Sequence, residues 1–507
     1  MKQYLQINET DNVAVALSVL PKGTVLTSGA CGEAIVLMEE IPQGHKFALR
    51  TIRAGEAVIK YGAPIGTAVQ DIPAGTHVHT HNIRTNLSDT LQYAYEPAEP
   101  AELPAGNYTF CGYRRADGRT GIRNDIWILP TVGCVNDIVK RLEREWKDLA
   151  SENDVNGGPV QKDNDLPRVM AFTHPYGCSQ MGEDQENFRK IFADLVHHPN
   201  AGGVLIVGLG CENSNIAVLK EYIGRTDPKR VKYLNCQEED DEIAAGLSFL
   251  KELYDTAAAD QRVETDASEL IVGMKCGGSD GLSGITANPV IGGFSDRLIG
   301  AGGSTILTEV PEMFGAETLL MNRAEDQAVF EKTVSLINDF KAYFKAYGQT
   351  IYENPSPGNK EGGISTLEDK ALGCTQKSGS AAVKDVLPYT GSVEKKGLNL
   401  LYAPGNDMVA STALAAAGAQ LLLFSTGRGT PWAACVPTVK LSSNTALSDK
   451  KKNWIDFDAG RAVTEKSIAE LSEELLELVL RTASGEKLRS ETDGYYDIAV
   501  FKQGVTL

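Results

Sequence analysis

Leu270-Ile271-Val272-Gly273-Met274, followed by Lys275-Cys276-Gly277-Gly278-Ser279-Asp280-Gly281-Leu282-Ser283-Gly284-Ile285-Thr286-Ala287-Asn288-Pro289, joins an apolar run to a loop in which a thiol, hydroxyls, a carboxylate and an amide sit among four glycines. A buried strand that breaks into such a loop is the repeating unit of an open α/β sheet, whose ligands bind at the carboxyl ends of the strands. Glycine lets the backbone approach a small polar ligand and adopt positive φ. The same composition also suits a turn whose polar side chains satisfy their own backbone.

The pattern recurs in both directions from this loop. Val169-Met170-Ala171-Phe172 leads to Thr173-His174-Pro175-Tyr176-Gly177-Cys178, and Gly203-Val204-Leu205-Ile206-Val207 leads to Gly208-Leu209-Gly210-Cys211-Glu212-Asn213. Further on, Thr305-Ile306-Leu307 precedes Thr308-Glu309, Leu398 to Tyr402 precedes Ala403-Pro404-Gly405-Asn406-Asp407, and Leu421 to Phe424 precedes Ser425-Thr426-Gly427-Arg428-Gly429-Thr430-Pro431. Parallel strands would bring these polar ends to one rim, although the sequence does not say whether they share one sheet. Helical spacing of Phe330, Val334, Ile337, Lys341 and Phe344, with Lys341 the one polar member, predicts a helix stopped by Gly348. Ile468, Leu471, Leu475, Leu478 and Leu480 predict another, with a possible cap at Thr464.

Short β-type runs punctuated by Ile41-Pro42-Gln43-Gly44-His45-Lys46, Tyr61-Gly62-Ala63-Pro64 and Asp71-Ile72-Pro73-Ala74-Gly75-Thr76 predict a small all-β module over residues 1–94. Residues 95–107 alternate Pro, Ala and Glu and read as an extended, solvated linker. Alternating strands and helices then predict α/β regions with mostly parallel sheets, divided as 108–262 and 263–507. The fold class is thus multidomain α/β.

The chain of 507 residues is 42% hydrophobic and 23% charged, a globular composition. Its net charge of −18 would repel phosphate backbones and anionic membranes, which speaks against nucleic-acid or membrane partners. The acidic amino-terminal start lacks a signal-peptide core, and no apolar run approaches the roughly 18–20 residues of a membrane span, so a cytoplasmic protein is expected. Nine dispersed cysteines without a Cys-x-x-Cys pair argue for reduced thiols rather than a disulfide framework or zinc ribbon.

Several side chains are suited to chemistry. His77-Val78-His79-Thr80-His81 puts three imidazoles on alternate residues, which in a strand project from one face about 6–7 Å apart and can share a metal or ligand. An exposed polar strand face fits the same pattern. Cys178 and Cys211 each follow a strand and precede a helix, where unpaired backbone N–H groups favour thiolate and hence iron binding or base catalysis. Glu212 and Glu309 are candidates for general base or metal carboxylate, or for helix caps. Lys360, in Asn354-Pro355-Ser356-Pro357-Gly358-Asn359-Lys360, and Arg428 offer cations suited to a carboxylate. Gly208-Leu209-Gly210 lacks the third glycine and the acidic strand end of a dinucleotide fingerprint.

Taken together, Ile41 to Lys46, His77 to Asn82, Tyr113 to Gly118, Gly208 to Glu212, the Cys276 to Pro289 loop, Asn354 to Lys360 and Thr426 to Pro431 resemble the altronate and galactarate dehydratase family over essentially the whole chain. The triple histidine resembles the altronate rather than the galactarate branch. The resemblance implies an amino-terminal β-clip module of the SAF type and a requirement for iron(II), with manganese(II) an alternative. It also implies a hydro-lyase reaction in hexuronate (galacturonate) catabolism, in which D-altronate loses its C2 proton and C3 hydroxyl to give 2-dehydro-3-deoxy-D-gluconate and water. Galactarate or another aldarate is an alternative substrate, and a sugar-acid-binding regulatory protein an alternative class. The chain departs from the family pattern at Trp432-Ala433-Ala434, where added methyl groups would narrow a glycine loop.

That chemistry needs a cation to stabilise an enediolate, a base for the α-proton and an acid for the departing hydroxide. His79, with His77 or His81, is expected to ligate the metal, and Cys178, Cys211 or Cys276 of the α/β part are candidates to join them. His45 or Lys46, with His174 or Glu309, are expected to move protons. Ser279, Asp280, Asn288, Lys360 and Arg428 are expected to bind hydroxyls and carboxylate. A homodimer is the base-rate expectation.

Overall fold

Strands Asp125–Pro130 and Leu421–Thr426 are buried along their entire length, as strands of a parallel sheet covered on both faces must be. They belong to two different sheets. The computed structural model describes residues 2–27, 34–87, 91–155 and 166–507. One sheet has four parallel strands in the order Val169–Ala171, Asp125–Pro130, Ala201–Gly208 and Val231–Asn235. The other has seven, in the order Val383–Leu387, Gly397–Leu401, Ser304–Leu307, Ile271–Cys276, Leu421–Thr426, Thr438–Ser442 and Phe457–Asp458, every pair parallel. The polar strand ends therefore form two rims instead of one. His174, Cys178, Cys211 and Glu212 stand on the smaller, and Cys276, Glu309 and Arg428 on the larger.

Ahead of the sheets, antiparallel pairing of Tyr4–Leu5, Val13–Ala16, Lys46–Ala48 and His77–Val78 builds an amino-terminal β-module, completed by a three-stranded and a two-stranded sheet. Its core is apolar, with Val58, Ile65 and Val78 wholly buried. Residues 91–107 form no regular element but are docked on the large domain. Tyr93 donates to Glu317 Oε1 at 2.6 Å, and Tyr95 to the Ala324 carbonyl at 2.7 Å. The segment is extended, with two anchored tyrosines.

Helix Gln327–Ala346 is present, capped by Asp326. Its polar exception, Lys341, is fully buried and pairs with Glu317 at 3.1 Å. Helix Ile468–Ala483 is capped by Ser467 rather than Thr464, because Ser467 and Glu470 form a reciprocal capping box that satisfies two otherwise unpaired N–H groups. Behind it, the Arg123 guanidinium grips Glu491 with two 2.8 Å bonds, tying the carboxyl-terminal residues to the smaller sheet. Among the described residues, no helix is long and apolar enough to cross a membrane.

Candidate active site

The β-module closes over the carboxyl rim of the seven-stranded sheet, and the glycine loop after Cys276 is where it lands. A Cβ on Gly281 would lie 2.0 Å from the Gly44 carbonyl oxygen, so only glycine permits the two backbones to meet. Gly281 N–H also donates to the Gly362 carbonyl at 2.7 Å. In this part of the loop, glycine serves the joining of two domains.

Helix Leu367–Cys374, buried throughout and capped by Thr366, organises the interface. Asp369, near its start, accepts from two lysines of the β-module, Lys46 Nζ at 2.8 Å and Lys60 Nζ at 2.9 Å. Lys46 also donates to the Gly363 carbonyl at 2.8 Å. Two ammonium groups share one carboxylate here, and the imbalance shows in their acidities. Burial, together with the Lys60 charge, lowers the Lys46 ammonium to about 8 against the pull of Asp369. Burial opposes the charged form of Lys60 as well, but Asp369 raises it overall.

One residue further along, Lys370 pairs with Glu312 Oε1 at 2.8 Å. At the helix end, the Cys374 thiol lies 3.5 Å from Cys276 Sγ, and both sulfurs contact Glu312 Oε2, at 3.1 and 3.0 Å. Beside them, Glu309 accepts from Lys275 Nζ at 2.6 Å and from the Cys276 N–H at 2.9 Å. The hydrogen bond from Cys374 lowers the Cys276 thiol to about 6 despite burial, with help from Lys377 and Lys370. Burial and the Cys276 and Glu312 charges push the Glu309 carboxyl well above the usual range, against Lys275 and Lys377. Cys276 and Glu309, their acidities shifted in opposite directions, thus stand side by side in one buried pocket.

A narrow cavity lies at this interface, lined by Lys60 and Tyr61 of the β-module and by Ser279, Asp369, Lys370 and Cys374 of the large domain. Ser279 Oγ is buried without a partner, free to bond a ligand hydroxyl. Of the other expected substrate groups, Asp280, Asn288 and Arg428 are engaged within the protein. Asp280 accepts from Ser283, Ser443 and Asn444. Asn288 donates to the Gly373 carbonyl and accepts from Ser425. Arg428, partly exposed, holds Glu361 at 2.8 Å, and Lys360 is half-buried in the neighbouring short helix.

The histidines cluster, but not on a strand face. Only His77–Val78 is strand, and His79 to His81 turn away from it; the chain fold still brings the rings of His45, His77, His79 and His81 within centroid distances of 5.1 to 5.6 Å. His45 Nδ1 and His77 Nε2 lie 2.9 Å apart, and His45 Nε2 meets the Glu361 carbonyl at 3.0 Å. Burial and neighbouring positive charge lower His77 to about 3 and His79 to about 4, so both are neutral near pH 7. His79 Nδ1 is buried and unpartnered.

Among the described residues, one group has three donor atoms drawn together at the spacing of a single ion: Cys276, Glu312 and Cys374. Of these, sequence reading found Cys276 alone. Glu312 follows Glu309 by one turn, a signal that was readable; Cys374 comes to the site only through the fold. On the other rim, His174 is buried, its Nε2 on the Pro130 carbonyl at 2.6 Å and its Nδ1 accepting from Tyr176 N–H. Glu212 is likewise consumed, by Thr131 and the Leu209 and Gly210 N–H groups.

Fold and site together define an acid–base enzyme assembled between a β-module and a parallel sheet. Comparison with known proteins makes this specific. Residues 2–86 match the altronate/galactarate dehydratase SAF domain, 112–258 the second domain of D-galactarate dehydratase/altronate hydrolase, and 267–506 the D-galactarate/altronate dehydratase carboxyl-terminal domain. The chain is 52% identical to altronate dehydratase of Escherichia coli (strain K12) and 50% identical to altronate dehydratase of Bacillus subtilis (strain 168), each over 100% of both chains. It is 34% identical to galactarate dehydratase (L-threo-forming) of Escherichia coli (strain K12), over 96% of this chain and 93% of that one. The chain belongs to the altronate/galactarate dehydratase family.

Proposed function

We propose that this chain dehydrates D-altronate to 2-dehydro-3-deoxy-D-gluconate and water. The observation that carries the reading is identity of 50–52% over full length to two altronate dehydratases, against 34% to a galactarate dehydratase. The groups gathered at the interface support it, because removal of a proton α to a carboxylate and loss of a β-hydroxyl need a base, an acid and fixed positive charge.

Ser279 takes a substrate hydroxyl, while Arg428 and Lys360 attract the carboxylate. Glu309, its carboxyl raised above the usual range by burial, supplies the proton for the departing C3 hydroxyl. Asp369, which lines the cavity, passes the C2 proton to the neutral amine of Lys46. His174, enclosed on the other rim, is the weaker candidate for this work.

A divalent ion, iron(II) or manganese(II), fits Cys276, Glu312 and Cys374 by donor chemistry and spacing. When bound, it supplies Lewis-acid stabilisation of the enediolate. Ligation requires Cys374 to release its proton, so affinity rises with pH. Glu312→Gln is expected to lower bound metal at least tenfold and His79→Ala to leave it nearly unchanged; the reverse result moves the ion to the histidines.

The defining experiment is anaerobic incubation with iron(II) and either D-altronate or galactarate, following formation of 2-keto-3-deoxy acid. Product from D-altronate alone is expected. Turnover of galactarate alone would reassign the substrate, and binding of either without turnover would make the chain a sugar-acid-binding protein.

A further inference from the structure

The rim of the smaller sheet carries a second constellation that the reaction above does not use. Three adjacent parallel strands, Val169–Ala171, Asp125–Pro130 and Ala201–Gly208, each run into a loop containing a Gly-Cys pair: Gly177-Cys178, Gly133-Cys134 and Gly210-Cys211. All three thiols are exposed, whereas Cys276, Cys374 and Cys435 are buried. Cys236, after the fourth strand, packs against the apolar core.

The loops touch one another. Gly133 N–H donates to the Tyr176 carbonyl at 2.9 Å, Ser214 N–H to the Gly177 carbonyl at 3.2 Å, and Asn213 Nδ2 to the Cys178 carbonyl at 3.1 Å. The approach is so close that a Cβ on Gly177, at φ 104°, would lie 2.0 Å from the Thr131 carbonyl oxygen. Buried Glu212 fastens the Cys134 loop to the Cys211 loop by accepting from Thr131 as well as from its own loop's N–H groups. A rigid base thus presents three soft ligands to solvent.

Their spacing discriminates between kinds of metal centre. A lone ion with metal–sulfur bonds of about 2.3 Å draws its sulfurs to within about 4 Å of one another. These three sulfurs are not all within 4.8 Å, unlike the Cys276 group. Thiolates set wider apart on a fixed rim suit a polynuclear centre, and thiolate is the ligand that iron–sulfur clusters use. Helices Asn136–Val155 and Gly182–Val196 begin just beyond Cys134 and Cys178, so their positive ends face an anionic cluster.

We propose that Cys134, Cys178 and Cys211 hold an iron–sulfur cluster, each thiol releasing its proton to solvent on ligation. Three protein thiolates leave one iron of a cubane open, accessible to an oxygen ligand such as a hydroxy acid.

The test is anaerobic reconstitution of the full chain with ferrous and ferric iron, sulfide and a thiol reductant, followed by gel filtration. Measurement covers iron, acid-labile sulfide, visible absorption and electron paramagnetic resonance. Iron and sulfide should co-elute with the protein, with the charge-transfer absorption of a cluster. Sulfide should fall at least tenfold, and iron to no more than the single ion of the Cys276 site, in Cys134→Ser, Cys178→Ser and Cys211→Ser, while both persist in Cys111→Ser, all with unchanged circular dichroism. Iron without sulfide, or sulfide retained in the triple serine variant, would overturn the assignment.

Discussion

Glu309 has φ 68°, in the left-handed region that side chains other than glycine and asparagine rarely enter, at a cost of about 1–3 kcal/mol. The conformation turns its carboxyl back onto Lys275 and the Cys276 N–H. Glutamine preserves shape and one of the two acceptor oxygens but carries no transferable proton. Glu309→Gln should therefore lower kcat by about 10²–10⁴ with little change in KM; steady-state kinetics decides, and unaltered kcat would remove Glu309 from the proton path. Lys46 answers to pH. Its ammonium is lowered to about 8, so a rate that uses the neutral amine rises as pH climbs through that value. Lys46→Met should lack this limb, read as a pH profile of kcat.

At the scale of elements, helix Leu367–Cys374 brings a carboxylate, a lysine and a thiol to the site, and its sequence gives little notice of it. Asp369, Lys370 and Cys374 look like an ordinary polar helix face until three separate segments pack around them. Gly281, by contrast, lies in the loop that sequence singles out, but for contact with a ligand; the carbonyl of Gly44 fills that space instead. Gly281→Ala should separate the β-module from the rim, costing about 1–3 kcal/mol by overpacking. Urea unfolding and limited proteolysis within residues 87–107 would show it, and wild-type behaviour would mean that the interface yields easily.

For the molecule as a whole, the bond between Arg123 and Glu491 couples two domains and sets a pH dependence. Burial opposes the Glu491 charge, but Arg123 and Arg168 hold its carboxyl at about 2. A carboxyl depressed in the folded state stabilises the fold above its unfolded value near 4.5, and that contribution disappears as pH falls towards 2. Glu491→Gln should lose up to about 3 kcal/mol at pH 7 and show a flatter decline in acid. Denaturant titrations at pH 7 and pH 3 test the sign.

Local patterning determined the strands, the main helices and the loops that bear function, because burial on both faces of a sheet leaves apolar runs and a rim leaves glycine and polar residues. It also identified the histidines and Cys276. Only the tertiary structure decided that the strand ends form two rims, that His174 and Glu212 are enclosed on the smaller one, and that Glu312, Asp369, Lys370 and Cys374 join Cys276. Such proximity arises from long-range packing, and acidity follows from it, since burial and neighbouring charge depend on which distant segments meet.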